Sequence, residues 1–246
     1  MGFACGYSFS EKALMKMTLC FLLFAAISLP QVRAGTIFGA VRAQGKADAQ
    51  SEAGGGAYAS RKYKFAERIN YDDLHDFVVY IDGPMGTNKT VPPSQPVSIS
   101  STRVMQQGAA FSPHVLPIVA GTTVQWPNND QIFHNVFSMS ETTNFDLGLY
   151  KGNPPDKKIT FNKPGRADVF CSIHANMHCI VLVLENPYFC LANEHNYYAI
   201  SNVPPGTYKL KAWHERVPAQ VKEVTVPKTG DVKVDFTLGF DNLPTP

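Results

Sequence analysis

Cys171-Ser172-Ile173-His174-Ala175-Asn176-Met177 places three metal-binding side chains within one short stretch of the chain. Cys171 carries a thiol, His174 an imidazole and Met177 a thioether. A cysteine and two histidines in a trigonal arrangement, with a weak and distant methionine, form a type 1 copper site, and soft sulfur ligands favour Cu(I) over harder cations. The stretch therefore predicts three of the four ligands of one type 1 copper ion.

The fourth ligand has to be a second histidine from elsewhere in the chain, and His134 is the candidate. Val124 and Trp126 alternate with polar residues as in a half-buried strand, and residues 127–130 favour a turn that ends this strand. We therefore expect His134 just past a strand end, at the rim of a β-barrel.

The Cys-x-x-His-x-x-Met spacing, the upstream Trp-x-Asn at 126–128 and the His-Asn-Val at 134–136 together resemble the cupredoxins, in particular those of the amicyanin and plastocyanin type. The resemblance implies a Greek-key β-sandwich that holds one copper ion. It implies four copper ligands, which are His134, Cys171, His174 and Met177. It also implies that Asn135 fixes the loop that carries the cysteine.

The ligand loop departs from the family pattern at two positions. Amicyanin-like loops commonly carry prolines where this chain has Ile173 and Ala175. Backbone hydrogen bonds to the ligand sulfur help to set the reduction potential of such sites. We therefore expect the same type of site with a different potential.

Residues 1–34 have the pattern of a signal peptide. Lys12 and Lys16 precede an apolar run over 17–29, and Val32-Arg33-Ala34 places small residues at both recognition positions of a cleavage site. The apolar run is too short for a membrane span. We expect a periplasmic protein with no membrane span after the leader is removed.

The charge balance argues against a nucleic acid partner. The chain has 22 Lys and Arg residues and 20 Asp and Glu residues, of which the leader holds three basic and one acidic, so 19 of each remain. Nucleic acid binding needs a clustered basic surface, which a formally neutral chain without a basic stripe does not predict.

Three cysteines lie outside the leader, at positions 171, 179 and 190. An odd number fits one metal thiolate and one further pair. Cys179 and Cys190 flank a predicted strand and turn, so an oxidising compartment could join them in a disulfide. The alternative is two small buried thiols, because free cysteine is among the most buried residue types.

Residues 97–185 have the texture of one small β-sandwich, with short apolar and β-branched segments between turns and no convincing helix. We predict strands at 97–100, 105–107, 111–117, 158–161, 167–171 and 180–184, the last of them fully apolar. The polar residues of 144–155 include many turn formers and predict a loop.

The rest of the chain resembles a second kind of module. Val203-Pro204-Pro205-Gly206-Thr207-Tyr208 is similar to a turn of carboxypeptidase regulatory-like modules, which have a transthyretin-type sandwich. The resemblance implies that its first two strands lie at 35–41 and 77–81, within a segment 35–96 that also holds a loop insertion. Its remaining strands lie within 186–246.

The predicted fold class is therefore all-β, with a cupredoxin sandwich at 97–185 inserted in, or packed against, a transthyretin-like sandwich. This order of modules also resembles bacterial methylamine-utilisation-type proteins. The resemblance covers nearly all of the chain beyond the leader.

The resemblance implies a one-electron carrier and not an enzyme, and no Gly-x-Ser-x-Gly nucleophile motif is present. Its partner would be a redox protein, either a cytochrome c-like protein or a periplasmic dehydrogenase. Two alternatives remain, a copper storage or delivery protein and a structural or carbohydrate-binding β module with a vestigial copper site. Of the remaining histidines, we expect His114 to be a packing or surface residue and His178 to lie on the exposed rim.

Overall fold

The computed structural model describes residues 34–45, 70–85 and 102–239, which form seventeen β-strands, one 3₁₀ turn at Tyr71–Asp73 and no α-helix. The first nine strands are β1 (Gly35–Ala43), β2 (Val78–Ile81), β3 (Met105–Gln107), β4 (Ala110–Ser112), β5 (Val115–Val119), β6 (Thr122–Gln125), β7 (His134–Ser140), β8 (Thr143–Tyr150) and β9 (Lys158–Phe161). The other eight are β10 (Gly165–Phe170), β11 (His178–Leu184), β12 (Phe189–Leu191), β13 (Tyr197–Val203), β14 (Gly206–Trp213), β15 (Gln220–Val226), β16 (Val232–Lys233) and β17 (Phe236–Leu238).

The predicted signal peptide, loop insertion and strand at 97–100 lie outside the described residues, apart from Ala34 and the short segments that flank the insertion. Within the described residues, no helix has the length and apolar character needed to span a membrane. The all-β fold class is confirmed.

Strands β3 to β11 form one sandwich, called here the inserted sandwich. One sheet has the order β5-β11-β10-β7-β8, and the pairs β6-β9 and β3-β4 lie opposite it. Isolated parallel bridges from Arg103 to Gln125 and from Gln106 to Asn128 connect the β3 and β6 segments. Its core contains Trp126 and Phe161, both fully buried.

Strands β1, β2 and β12 to β17 form a second sandwich, called here the outer sandwich. One of its sheets has the order β13-β1-β16, with β17 also paired to β1, and the other has the order β12-β2-β14-β15. Both early strands pair with strands from the end of the chain, since Ile37 lies opposite Ile200 and Leu210 lies opposite Ile81. The chain therefore leaves the outer sandwich after β2 and returns to it at β12.

The two sandwiches pack against each other through strands β2 and β11, each buried on both faces. In β2, Val79 and Ile81 enter the outer core, while Val78 and Tyr80 enter a third apolar cluster between the sandwiches. In β11, alternate residues divide in the same way, with Cys179, Val181 and Val183 in the inserted core and Ile180, Leu182 and Leu184 in the shared cluster. Successive side chains of a strand point to opposite faces, so a continuous apolar run indicates burial on both.

Two predictions for the inserted sandwich are wrong. The segment 111–117 is not one strand, because β4 ends at Ser112 and β5 begins at Val115, with Pro113 and His114 between them. The segment 144–155 is not simply a loop, because most of it forms β8 at the edge of the large sheet. Phe145 and Leu147 pack against the inserted core while Asp146 between them is polar and exposed, an alternation that the turn-forming residues obscured.

The Pro204-Pro205 turn carries the chain from one sheet of the outer sandwich to the other, because β13 pairs with β1 and β14 pairs with β2. The Tyr208 hydroxyl donates to the Pro204 carbonyl oxygen at 2.8 Å and closes the turn. This hydrogen bond therefore stabilises the turn at which the chain passes from one sheet of the outer sandwich to the other.

Candidate metal centre

The pairing of β10 with β7 brings the predicted ligands to one end of the inserted sandwich. Phe170, the last residue of β10, lies opposite Phe137 of antiparallel β7. Cys171 directly follows β10, and His134 is the first residue of β7, so both lie at the same end of this strand pair. The sequence analysis predicted that His134 lies just past a strand end at the rim of a barrel. In the structure it is instead the first residue of a strand in a sandwich.

Three of the four predicted ligands have their donor atoms together. His134 Nδ1 lies 3.0 Å from His174 Nδ1, and Cys171 Sγ lies 3.6 Å from the same His174 nitrogen. The three donor atoms all lie within 4.8 Å of one another. Metal bonds to imidazole nitrogen and thiolate sulfur are roughly 2.0–2.3 Å long, so one ion can bridge the two measured separations. The residues present therefore fit a single transition-metal ion.

Met177 ends the loop that begins at Cys171, and only 1% of it is exposed. Two backbone hydrogen bonds close this loop. The Met177 amide donates to the His174 carbonyl at 3.0 Å, and the Cys171 amide donates to the Met177 carbonyl at 3.2 Å. Met177 belongs to the same apolar core as Cys171, so both sulfur-bearing side chains are buried in that core.

Asn135 connects the cysteine loop to two strands. Its amide N–H donates to Cys171 Sγ at 3.4 Å, and its side-chain oxygen accepts from the Ser172 amide at 3.3 Å. Its side-chain nitrogen donates to Asp146 Oδ1 of β8 at 2.6 Å. These contacts agree with the loop-fixing role that the resemblance implies for Asn135.

Asp130 is a neighbour of His134 that the sequence analysis missed. Its Oδ2 lies 2.8 Å from His134 Nε2, and the carboxylate also accepts from the backbone amides of Gly108 at 2.7 Å and Ala109 at 2.9 Å. The hydrogen bonds from Ala109, Gly108 and His134 lower the pKa of Asp130 to about 2. A carboxylate accepts hydrogen bonds only, so Nε2 carries the imidazole proton and Nδ1 presents its lone pair to the cluster. The spacing of four residues between Asp130 and His134 was the available signal.

No family model matches the chain. Among solved structures, a copper-containing nitrite reductase from Thermus scotoductus is 28% identical over 39% of this chain and 28% of its own, with a TM-score of 0.33. A purple cupredoxin from Nitrosopumilus maritimus is 25% identical over 33% of this chain and 97% of its own, with a TM-score of 0.28. A reduced amicyanin mutant is 22% identical over 38% of this chain and 96% of its own, with a TM-score of 0.30. The chain spans less than a third of that nitrite reductase.

The three clustered residues differ in their access to solvent. His134 is fully buried and Cys171 is 7% exposed, whereas His174 is partly exposed. Three large apolar residues next to these ligands in the chain are exposed by about half, namely Ile132 at 49%, Phe133 at 57% and Ile173 at 52%. We call these three residues the apolar rim. His174 is therefore the ligand candidate that reaches the surface, beside this rim.

Cys179 and Cys190 do not form the disulfide that the sequence analysis considered beside two buried thiols. Both are free, and they belong to the cores of different sandwiches, Cys179 to the inserted one and Cys190 to the outer one. Burial raises the pKa of both thiols. They are therefore uncharged apolar packing residues, and Cys171 is the cysteine that faces histidines.

Proposed function

We propose that the chain is a periplasmic type 1 copper protein that carries single electrons between redox partners. The observation that supports this most is the cluster of His134 Nδ1, Cys171 Sγ and His174 Nδ1 at one end of the inserted sandwich. Two imidazoles and one thiolate are the equatorial ligands of type 1 copper sites. When bound, copper would supply reversible one-electron chemistry between Cu(I) and Cu(II).

In this proposal four residues hold one copper ion per chain, namely His134, Cys171, His174 and Met177. Met177 would be the weak fourth ligand, because it ends the loop that begins at Cys171 and is buried in the same core. Asp130 and Asn135 fix His134 and Cys171 through hydrogen bonds before any metal arrives. A site held in this way needs little rearrangement between oxidation states, which suits an electron carrier better than an enzyme.

The proposed partner is another redox protein, cytochrome c-like or a periplasmic dehydrogenase. Support comes from the apolar rim, whose exposed residues Ile132, Phe133 and Ile173 are chain neighbours of His134 and of the partly exposed His174. Exposed apolar patches mark protein contact sites, and electron-transfer complexes are typically small and transient. His174 would then be the route by which the electron leaves the buried site.

The test is metal titration of the chain without its leader. Added Cu(II) is expected to give an intense blue colour that ascorbate removes and ferricyanide restores. Cys171→Ser should lose this colour while the far-UV circular dichroism spectrum stays that of the parent, because the thiolate is the source of the charge-transfer band.

Cys190→Ser is the matched control and should stay blue, because Cys190 packs in the outer core away from the histidines. A Cys171→Ser protein as blue as the parent would overturn the site. A parent that stays colourless but takes up Cu(I) would instead indicate copper storage or delivery.

A further inference from the structure

A second group of metal-binding side chains lies at the junction of the two sandwiches. One donor atom each from His114, His178 and Glu215 lies within 4.8 Å of the others. His114 precedes β5 and His178 is the first residue of β11, and these two strands pair in parallel. Glu215 follows β14 of the outer sandwich. The group therefore draws its members from both sandwiches.

Both ring nitrogens of His114 face oxygen atoms. Nδ1 lies 3.3 Å from the His178 carbonyl oxygen, and Nε2 lies 2.7 Å from Glu215 Oε1. Both partners are acceptors, whereas a neutral imidazole has one N–H and one lone pair. A neutral ring that donates from Nδ1 to the carbonyl presents the lone pair of Nε2 to Glu215, where a metal ion would be held by both groups.

The ring of His178 is held as a metal ligand usually is. Its Nε2 lies 2.9 Å from Asp168 Oδ1, and the ring stacks on Phe170 at a centroid distance of 4.8 Å. Arg166 donates twice to the same Asp168 carboxylate and keeps it in place. A histidine that donates one ring N–H to a carboxylate presents the other nitrogen as a lone pair, which is the common support of metal-bound histidines.

We propose that His114, His178 and Glu215 form a second metal site, which takes Zn²⁺ and ties the outer sandwich to the inserted one. Two imidazoles and one carboxylate are a ligand set found in zinc sites, with a further position open to water. Hard cations such as Mg²⁺ and Ca²⁺ prefer oxygen ligands and do not suit two imidazoles. The proposal does not depend on copper binding at Cys171.

The structural role follows from where Glu215 lies. It belongs to the connection between β14 and β15, while both histidines belong to the inserted sandwich. A ligand that binds the folded state and not the unfolded one raises the stability of the fold. Zinc is therefore expected to raise the thermal midpoint of the whole chain, and the increase should require both sandwiches.

The test is zinc titration by calorimetry in a Cys171→Ser/His174→Ala background, which lacks two of the three donors of the other cluster. One Zn²⁺ per chain is expected to bind, and His114→Ala or Glu215→Gln should weaken the affinity at least tenfold. The matched controls are His195→Ala and Glu194→Gln, because these two residues form an exposed pair in the outer sandwich. Both controls should bind zinc as the background does.

Glu215→Gln keeps the size of the side chain but removes its charged contact with His114, so the thermal midpoint of each protein is compared with and without zinc. With zinc, the midpoint should rise in the background and not in Glu215→Gln. Equal zinc affinity of Glu215→Gln and its background would overturn the proposal. Absence of zinc uptake would also overturn it. Neither result would alter the blue-colour test of Cys171.

Discussion

Asp130 determines which nitrogen of His134 faces Cys171. Its charge is maintained by the backbone amides of Gly108 and Ala109 together with His134 itself, which lower its pKa to about 2. Because the carboxylate stays ionised at neutral pH, it orients the imidazole without competing for the lone pair on Nδ1. Outer partners of this kind typically change metal affinity by 10–100-fold when they are altered.

Asp130→Asn is therefore expected to weaken copper binding by about 10–100-fold, because a neutral amide holds the His134 tautomer less firmly. The measurement is copper affinity by competition with a chelator, with the blue colour of the saturated protein as a second reading. Asp156→Asn is the control, because its carboxylate is 72% exposed and pairs only at the surface with Lys157. An Asp130→Asn affinity equal to that of the control would show that the hydrogen bond does not support the site.

Among the secondary-structure elements, strands β2 and β11 each contribute side chains to two apolar clusters. Leu182 of β11 is 5% exposed and lies in the cluster shared by Val78 and Tyr80 of β2. The face of β11 that would be exposed to water in an isolated sandwich is therefore buried in this chain. Removal of a large side chain from such a face leaves a cavity in addition to the lost burial.

Leu182→Ala is expected to lower the free energy of unfolding by about 2–4 kcal/mol, as for a leucine of an ordinary core. Leu149→Ala is the matched control, since Leu149 is 59% exposed on β8, and it should change that energy by less than about 0.5 kcal/mol. Urea unfolding measures both. If the two variants lose the same small amount, the junction between the sandwiches does not contribute to stability.

At the scale of the whole molecule, both early strands depend on the end of the chain. Among the described residues, β1 pairs with β13, β16 and β17, and β2 pairs with β12 and β14. All of these partner strands lie beyond residue 187, whereas the cluster of His134, Cys171 and His174 lies before it. The domain boundaries at 96/97 and 185/186 stay a prediction that agrees with this pairing.

A chain that ends at residue 187 is therefore expected to expose the apolar faces of β1 and β2 and to aggregate, because two lone strands are at best marginal in water. Size-exclusion chromatography and binding of a hydrophobic dye would show this. The control ends at Gly239 and removes no described strand, so it should behave as the parent. A monomeric chain ending at 187 that binds no dye would show that the outer sandwich is dispensable.

The sequence by itself determined the loop that carries Cys171, His174 and Met177, and much of the strand pattern. Cys171, His174 and Met177 lie within one loop, so their spacing alone places three donors close together. The apolar run of β11 likewise indicated a buried strand, because apolar and polar residues do not alternate in a strand that is buried on both faces. The Pro-Pro-Gly turn also marked the outer sandwich, although it did not show that the chain changes sheets there.

Tertiary structure alone decided which distant groups meet. The strand character of 144–155 depends on Phe145 and Leu147 finding a core, which local turn propensity does not report. The hydrogen bond from His134 to Asp130 depends on the turn at Gly108 and Ala109, whose amides hold the Asp130 carboxylate. The bridge between Gln106 and Asn128 brings this turn close to Asp130. Glu215 reaches His114 across 101 residues because the two sandwiches share an apolar face. Such contacts arise from sheet packing, and apart from the short spacing of Asp130 and His134 no local pattern in the chain encodes them.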